Sequence, residues 1–286
     1  MFIPRRILEE KLLRLLAEDV GQGDVTSSAV IPSECTVEAE VIAKAEGVAA
    51  GVEEATVLAE ALGLEAEAQV ADGEEVKQGQ VILNLCGDAA TILTAERTML
   101  NLLSRMSGIA TATRNLTEKI KKAHLKTRVA ATRKSAPGLL YFDKKAVVVG
   151  GGDAHRLRLD DMILIKDNHI VVAGSLENAL KLAKKNASFS KKIEVEVTNS
   201  ADALKAAELG ADIVMLDNFS VAQTKEAVSL LKKAGFSEKV LLEASGGITS
   251  ENLLEYAVAG VDLVSLGELT HSVKALDISL EIVKAA

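Results

Sequence analysis

Apolar positions in the first hundred residues keep changing their period. Ile7, Leu8, Leu12, Leu15 and Leu16 recur at helical spacing over residues 4–18 and predict an amphipathic helix. A turn-like stretch, GQGDVTS, follows with Asp24, Thr26 and Ser27. Over residues 35–43 the period drops to two, with Cys35, Val37, Ala39 and Val41 on one side and Thr36, Glu38 and Glu40 on the other, which predicts a half-buried strand. Residues 51–62 read as a helix, and 64–71 and 80–86 as two further strands around the turn Asp72-Gly73. The sum is a small α+β domain over residues 1–105, from which an apolar helix, Ala90 to about Leu103, leads out.

Beyond residue 125 the pattern becomes strand, loop, helix, repeated. Strands are expected near 127–131, 161–165, 192–197, 212–216, 239–243 and 262–266, with helices such as 200–209 and 221–233 between them. Runs such as DIVML and KVLLEA are continuously apolar, as strands buried on both faces require. Strands alternating with helices predict a parallel sheet with right-handed crossovers. Six strands rather than eight make the expected body, residues 106–272, an open or incomplete α/β barrel. Residues 273–286 are amphipathic and are expected to pack back on the first domain.

Each of the six segments runs into a polar or glycine-rich cluster: Thr132-Arg133-Lys134, Lys166-Asp167-Asn168-His169, Glu194-Val195-Glu196, Leu216-Asp217-Asn218, Ser245-Gly246-Gly247 and Ser265-Leu266-Gly267. In a parallel barrel all of these ends open on one face, where the chemistry sits. The cations Arg133, Lys134, Arg156 and Lys166 suit a carboxylate or phosphate, the arginines as bidentate forks and the lysines as point charges. Glu194 and Glu196 share a strand face. Glu196 and Asp217 are candidates for holding ribose hydroxyls, coordinating Mg²⁺ or steadying a developing positive charge. The two glycine loops offer backbone N–H groups to a phosphate, and barrel phosphate sites favour the last two strand loops. Gly150-Gly151-Gly152 is either a turn after a helix or a device that carries His155 and Arg156 over the pocket. His169 reads equally as a structural histidine.

Composition narrows the partner. The net charge of −8 and an aromatic content of 2% argue against nucleic acid. Residues 126–169 nevertheless net +4, leaving −12 for the remainder, and a basic island in an acidic chain suits a small anion. No apolar run approaches the length of a membrane span, so no membrane partner is expected. Cys35 and Cys86 have neither metal nor redox spacing and read as core thiols, which makes the cytoplasm the expected compartment.

Several stretches together resemble the quinolinate phosphoribosyltransferase family, also called carboxylating nicotinate-nucleotide pyrophosphorylase. They are EDVGQGDVTS near the start, AERTMLNLLSRMSGIAT (95–111), TRKSAPG (132–138), GGGDAHRLRL (150–159), LIKDNH (164–169), EVEV (194–197), MLDNF (215–219), LEASGGI (242–248) and SLGELTHS (265–272). The family commonly has Thr where Ser135 stands, Arg where Leu139 or Leu140 stands, and Asn where Ala154 stands. The resemblance implies an N-terminal α/β sandwich, an open-sided α/β barrel, and a homodimer in which Arg97 reaches the partner's site. It implies that Thr132, Arg133, His155, Arg156 and Lys166 bind quinolinate and that Lys134 faces the phosphates of phosphoribosyl pyrophosphate. Glu196 and Asp217 would hold ribose and Mg²⁺, with Ser245, Gly246, Gly247, Ser265, Leu266 and Gly267 cradling the 5-phosphate. Lys134, Lys166, Glu196 and Asp217 are the catalytic candidates. Three rivals stay open on the residues alone: a phosphoribosyltransferase of the same fold acting on another acid, a Schiff-base lyase using Lys166, and a phosphosugar-binding protein without turnover.

Overall fold

The computed structural model describes residues 3–286. In chain order the elements are α1 (Arg5–Val20), α2 (Val25–Val30), β1 (Thr36–Ala43), β2 (Gly47–Val48), α3 (Val52–Ala61), β3 (Glu65–Ala68), β4 (Glu75–Val76), β5 (Val81–Asp88), α4 (Ala89–Lys122), β6 (Arg128–Ala131) and α5 (Leu140–Val149). There follow β7 (Ile163–Ile165), α6 (Asp167–Ala173), α7 (Leu176–Asn186), β8 (Ile193–Val197), α8 (Ser200–Glu208), β9 (Ile213–Asp217), α9 (Val221–Lys233), β10 (Leu241–Ser245), α10 (Leu253–Ala259), β11 (Leu263–Leu266), α11 (Glu268–His271) and β12 (Ile278–Ala285). None of these helices is long and apolar enough to cross a membrane.

Two compact units form. The first takes in the chain through Arg114, residues 141–151 and residues 273–286. Its main sheet has the order β12-β1-β5-β3, all antiparallel. The alternation read in the sequence is kept in β1, where Val37, Ala39 and Val41 are buried. The C-terminal amphipathic segment supplies the edge strand β12, whose residues 278–285 run alongside β1. On α1 the buried face is Leu8, Leu12 and Leu16, while Ile7, expected on it, is exposed. Asp24 caps α2, its carboxylate accepting from the backbone N–H groups of Thr26 at 3.0 Å and Ser27 at 2.9 Å.

Two sequence expectations are corrected in this unit. The helix expected to end near Leu103 runs 34 residues to Lys122. Ser107 and Gly108, past the expected end, each have a reason to be inside the helix. Ser107 Oγ accepts from Ala50 N at 3.0 Å, and a Cβ on Gly108 would run into the Lys274 carbonyl. The second correction concerns the basic island. Helix α5, assigned from sequence to the 106–272 body, belongs to the first unit and buries its charges there. Asp143 takes a two-pronged ion pair from Arg105 at 2.7 and 2.8 Å. Lys145 Nζ is surrounded by Glu53 at 2.5 Å, Glu54 at 2.8 Å and Asp72 at 3.3 Å. Lys144 and Lys145 are thus framework charges, not members of an anion pocket.

The second unit, residues 115–140 and 152–272, holds six strands, all parallel, in the order β6-β11-β10-β9-β8-β7. The end strands β6 and β7 are not paired with each other, so the barrel is open, and Asp153 bridges to Ala130 beside β6. One face of the sheet packs Val195, Val197, Val214, Leu216, Leu242, Ala244, Val264 and Leu266 against helix residues such as Leu180, Ala203, Ala227 and Leu253. By the period of two, the other face carries Glu194 and Glu196 from β8, Asp217 from β9, Glu243 and Ser245 from β10, and Ser265 from β11. Polar side chains therefore line the interior while apolar ones hold the helices.

Candidate functional site

The carboxyl ends of the six strands place most of the predicted residues at one end of the second unit. Just past β6, Thr132 Oγ1 accepts from the Lys134 backbone N–H at 3.1 Å, shaping the turn. The Lys134 carbonyl accepts from Thr270 Oγ1 at 2.7 Å. A Cβ on Gly267 would sit 3.2 Å from Lys134 Cδ and 2.9 Å from His271 Cδ2, so Gly267 is the bare spot over which the lysine stem and the imidazole pass. Arg133 is exposed, and Arg156 half-buried. Burial, and then the charge of Arg133, draws Arg156 below its ordinary range, with Glu194 and Asp161 pulling the other way. Two guanidinium groups that repel one another at strand ends make an anion-seeking pair.

After β7, Lys166 Nζ donates to Glu196 Oε2 at 2.7 Å. An ion-paired, half-exposed ammonium is the opposite of the desolvated amine that carbonyl attack requires, which removes the support for a Schiff-base role. His169, open in the sequence, acts as a helix cap, its Nδ1 accepting from the Lys166 N–H at 2.9 Å. Asp217 closes β9 on the same face as Glu196 of the neighbouring strand, and Asn218 Nδ2 donates to its Oδ2 at 2.7 Å.

The glycine loop after β10 has a local cause. Asn218 adopts φ 55° and its N–H donates to the Ser245 carbonyl at 2.9 Å. Its side chain then fills the space where a Cβ on Gly246 (φ 90°) would stand. Gly247 follows at φ 63° with open space on its Cβ side. Three expectations need adjusting here. Strand β10 starts two residues later than expected, so Ser245 is its last residue rather than part of the loop. Ser265 and Leu266 close β11 rather than follow it. Leu266 faces the helices in the apolar layer, so only its backbone is available at the strand end. Ser265 is buried and its Oγ has no partner among the described residues.

Deeper in the barrel is a group that sequence reasoning did not assemble. His155, held at φ 51° with its N–H on Asp153 Oδ1 at 2.7 Å, sends Nε2 to Glu243 Oε2 at 2.9 Å and to within 3.5 Å of Glu194 Oε2. Both glutamates are fully buried. Burial opposes charge on His155, but the two carboxylates outweigh it and push the imidazole up to about 10. Burial likewise pushes Glu194 up, with His155 pulling against it. Both Glu194 oxygens and Glu243 Oε1 lack hydrogen-bond partners among the described residues. The available signal was a glutamate two residues before Ser245 in an otherwise apolar strand, hence on Ser245's face. His271 was also passed over. Arg97, by contrast, lies on α4 in the first unit, exposed and 3.7 Å from Glu96.

Comparison with known proteins agrees with this fold. Residues 24–107 match the family model described as quinolinate phosphoribosyl transferase, N-terminal domain, and residues 109–281 match its C-terminal domain. The chain is 48% identical over 262 residues to a probable nicotinate-nucleotide pyrophosphorylase [carboxylating] of Archaeoglobus fulgidus, covering 92% of this chain and 99% of that one. It is 40% identical over 279 residues to the nicotinate-nucleotide pyrophosphorylase [carboxylating] of Mycobacterium leprae, covering 96% of each. Among solved structures, NadC from Streptococcus pyogenes superposes with a TM-score of 0.90 at 34% identity, covering 100% of this chain and 99% of that one.

Proposed function

The chain belongs to the quinolinate phosphoribosyltransferase family, and on that footing we propose how its strand-end residues carry out the reaction. The protein joins quinolinate to phosphoribosyl pyrophosphate, giving nicotinate mononucleotide, pyrophosphate and CO₂ for NAD biosynthesis. The observation that carries the assignment of the site is the meeting of Arg133, Arg156 and His155 with the carboxylates of β8 and β10 in a parallel sheet.

Arg133, Arg156, His155 and Thr132 take the pyridine dicarboxylate, with Lys166 beside them. Lys134 faces the pyrophosphate, and the turn through Ser245, Gly246 and Gly247 together with Ser265, the Leu266 backbone and Gly267 holds the 5-phosphate. The pyridine nitrogen attacks the anomeric carbon as the bond to pyrophosphate breaks. Positive charge builds on the ribose ring, and Glu196 and Asp217 face it. Lys134 offsets the charge growing on the departing pyrophosphate. Holding two polyanions in line supplies much of the acceleration. Ribosylation leaves the ring nitrogen cationic, so the bond to the 2-carboxylate can release CO₂ and leave its electron pair on the adjacent carbon, which then takes a proton. The 3-carboxylate has no such sink and stays.

Glu196 and Asp217 are hard oxygen donors on adjacent strands, the kind of one- or two-carboxylate set that Mg²⁺ shares with substrate phosphates. Held by Glu196 and Asp217, Mg²⁺ would offset negative charge on the departing pyrophosphate. The protein works as a homodimer to which each subunit lends Arg97, an exposed arginine with no partner stronger than Glu96. Two free cysteines, Cys35 and Cys86, suit a reducing cytoplasm.

The decisive assay is CO₂ release from quinolinate labelled at the 2-carboxylate. Release that requires phosphoribosyl pyrophosphate is expected. Transfer to another pyridine acid with quinolinate inert would overturn the substrate. Mixing Arg97→Ala subunits with Glu196→Ala subunits should restore activity through hybrid dimers. No recovery in demonstrated mixed dimers would count against the shared site.

A further inference from the structure

The imidazole of His155 is used on one side only. Its Nε2 lies 2.9 Å from Glu243 Oε2 and 3.5 Å from Glu194 Oε2, while Nδ1 has no hydrogen-bond partner among the described residues. The backbone leaves little choice of position, since φ is 51° and the N–H is tied to Asp153 at 2.7 Å. A neutral histidine that donates from Nε2 to a carboxylate carries a bare lone pair on Nδ1. A lone pair there would repel an incoming carboxylate. Only the doubly protonated ring keeps the bond to Glu243 and still offers an N–H to an anion. Burial alone would strip that second proton. Something must hold the proton in place.

We propose that Glu243, backed by Glu194, is a positioning residue that keeps His155 as an imidazolium with its Nδ1–H presented to a carboxylate of the pyridine substrate. The proposal rests on the placement of His155 in the substrate site given above and adds the device that sets its charge. Three features of the structure support it. Glu243 is fully buried and bonds to His155 through one oxygen only. Glu194 is equally buried and, with no hydrogen bond of its own, supplies charge rather than geometry. Burial lowers His155, and Glu194 and Glu243 outweigh it and raise the imidazole to about 10, while Arg133, Arg156, Asp153 and Asp161 are the other charged groups of its neighbourhood. The dicarboxylate thus meets three fixed positive charges, Arg133, Arg156 and His155, at any neutral pH.

The chain has four histidines, so imidazole signals can be resolved by NMR on the intact protein labelled at histidine. The His155 signal, identified by its absence in His155→Ala, is expected to remain that of an imidazolium at pH 8. In Glu243→Gln it should titrate lower, and in Glu243→Gln with Glu194→Gln it should be neutral at pH 8. Quinolinate affinity of the double variant, measured by calorimetry at pH 8, should fall by about tenfold or more, the worth of one charged hydrogen bond. Lowering the pH toward the new His155 pKa should restore most of that loss, measured against the parent over the same range. A merely structural defect would weaken binding equally at every pH. A neutral His155 in the parent at pH 8, or a pH-independent loss, overturns the proposal. So does a neutral ring in the double variant with unchanged affinity. If His155 is charged in the parent but His155→Ala binds quinolinate normally, the fault lies instead in placing His155 at the substrate, and Glu243 loses the purpose given it.

Discussion

Each unit of this protein buries a cation among carboxylates, and the two groups are built to different standards. In the first unit Lys145 Nζ meets Glu53, Glu54 and Asp72, and none of those carboxylate oxygens is left buried without a partner among the described residues. Burial works against the ammonium, but Glu54, Glu53 and Asp72 outweigh it and hold it above its ordinary range. Asp72 uses its second oxygen to accept from Val52 N at 2.9 Å, tying the group to the start of α3. In the second unit His155 meets Glu194 and Glu243, and three carboxylate oxygens remain unpartnered. A satisfied buried group specifies a fold, whereas a partly satisfied one is costly unless something else uses it. The difference separates framework charge from working charge better than burial does, since both groups are buried.

The comparison can be broken most forcefully at Lys145. Lys145→Met leaves two or three carboxylates facing one another and should lower the unfolding free energy by about 3–5 kcal/mol. Chemical denaturation reads this, and turnover per folded molecule should stay near that of the parent. A stable variant with damaged turnover would place Lys145 among the working residues. The converse holds at the rim. Glu196→Ala or Lys134→Ala should cut turnover on the order of 10²–10³-fold with the melting transition almost unmoved. Full activity in either variant removes that residue from the mechanism.

Smaller effects sharpen the contrast. Gly246→Ala puts a Cβ onto the Asn218 side chain at φ 90° and should cost about 1–3 kcal/mol, read as a raised KM for phosphoribosyl pyrophosphate more than as unfolding. Last is the pH dependence of stability. His155 is raised in the folded protein from 6.5 to about 10, so its contribution is complete below pH 6.5, declines as pH rises, and is gone above about pH 10. His155→Gln should flatten the parent's stability curve between those limits. A parent curve with the same slope there as the variant would show that His155 does not hold its proton.

Much of this was legible in the chain. Period-two alternation located β1, and continuous apolar runs located β9 and β10, because those patterns follow from which faces are buried. The rim residues were legible for the same reason: a strand's end is where its apolar run stops. What stayed hidden depended on contacts between distant segments. The run of α4 past Leu103 has its reason in Ala50 and Lys274, which stand against Ser107 and Gly108. Lys144 and Lys145 entered only as part of the net +4 of residues 126–169, because sequence distance to Glu54 says nothing of spatial distance. Glu243 looked like one acid in an apolar strand, and its meaning required His155, 88 residues away.

The central claim is that the ends of these strands surround a single cationic site for a pyridine dicarboxylate. A crystal soaked with pyridine-2,3-dicarboxylate tests it most directly. The account predicts density with one carboxylate between the Arg133 and Arg156 guanidinium groups and within hydrogen-bond reach of His155 Nδ1. Ordered ligand bound elsewhere, with those three side chains untouched, would contradict it.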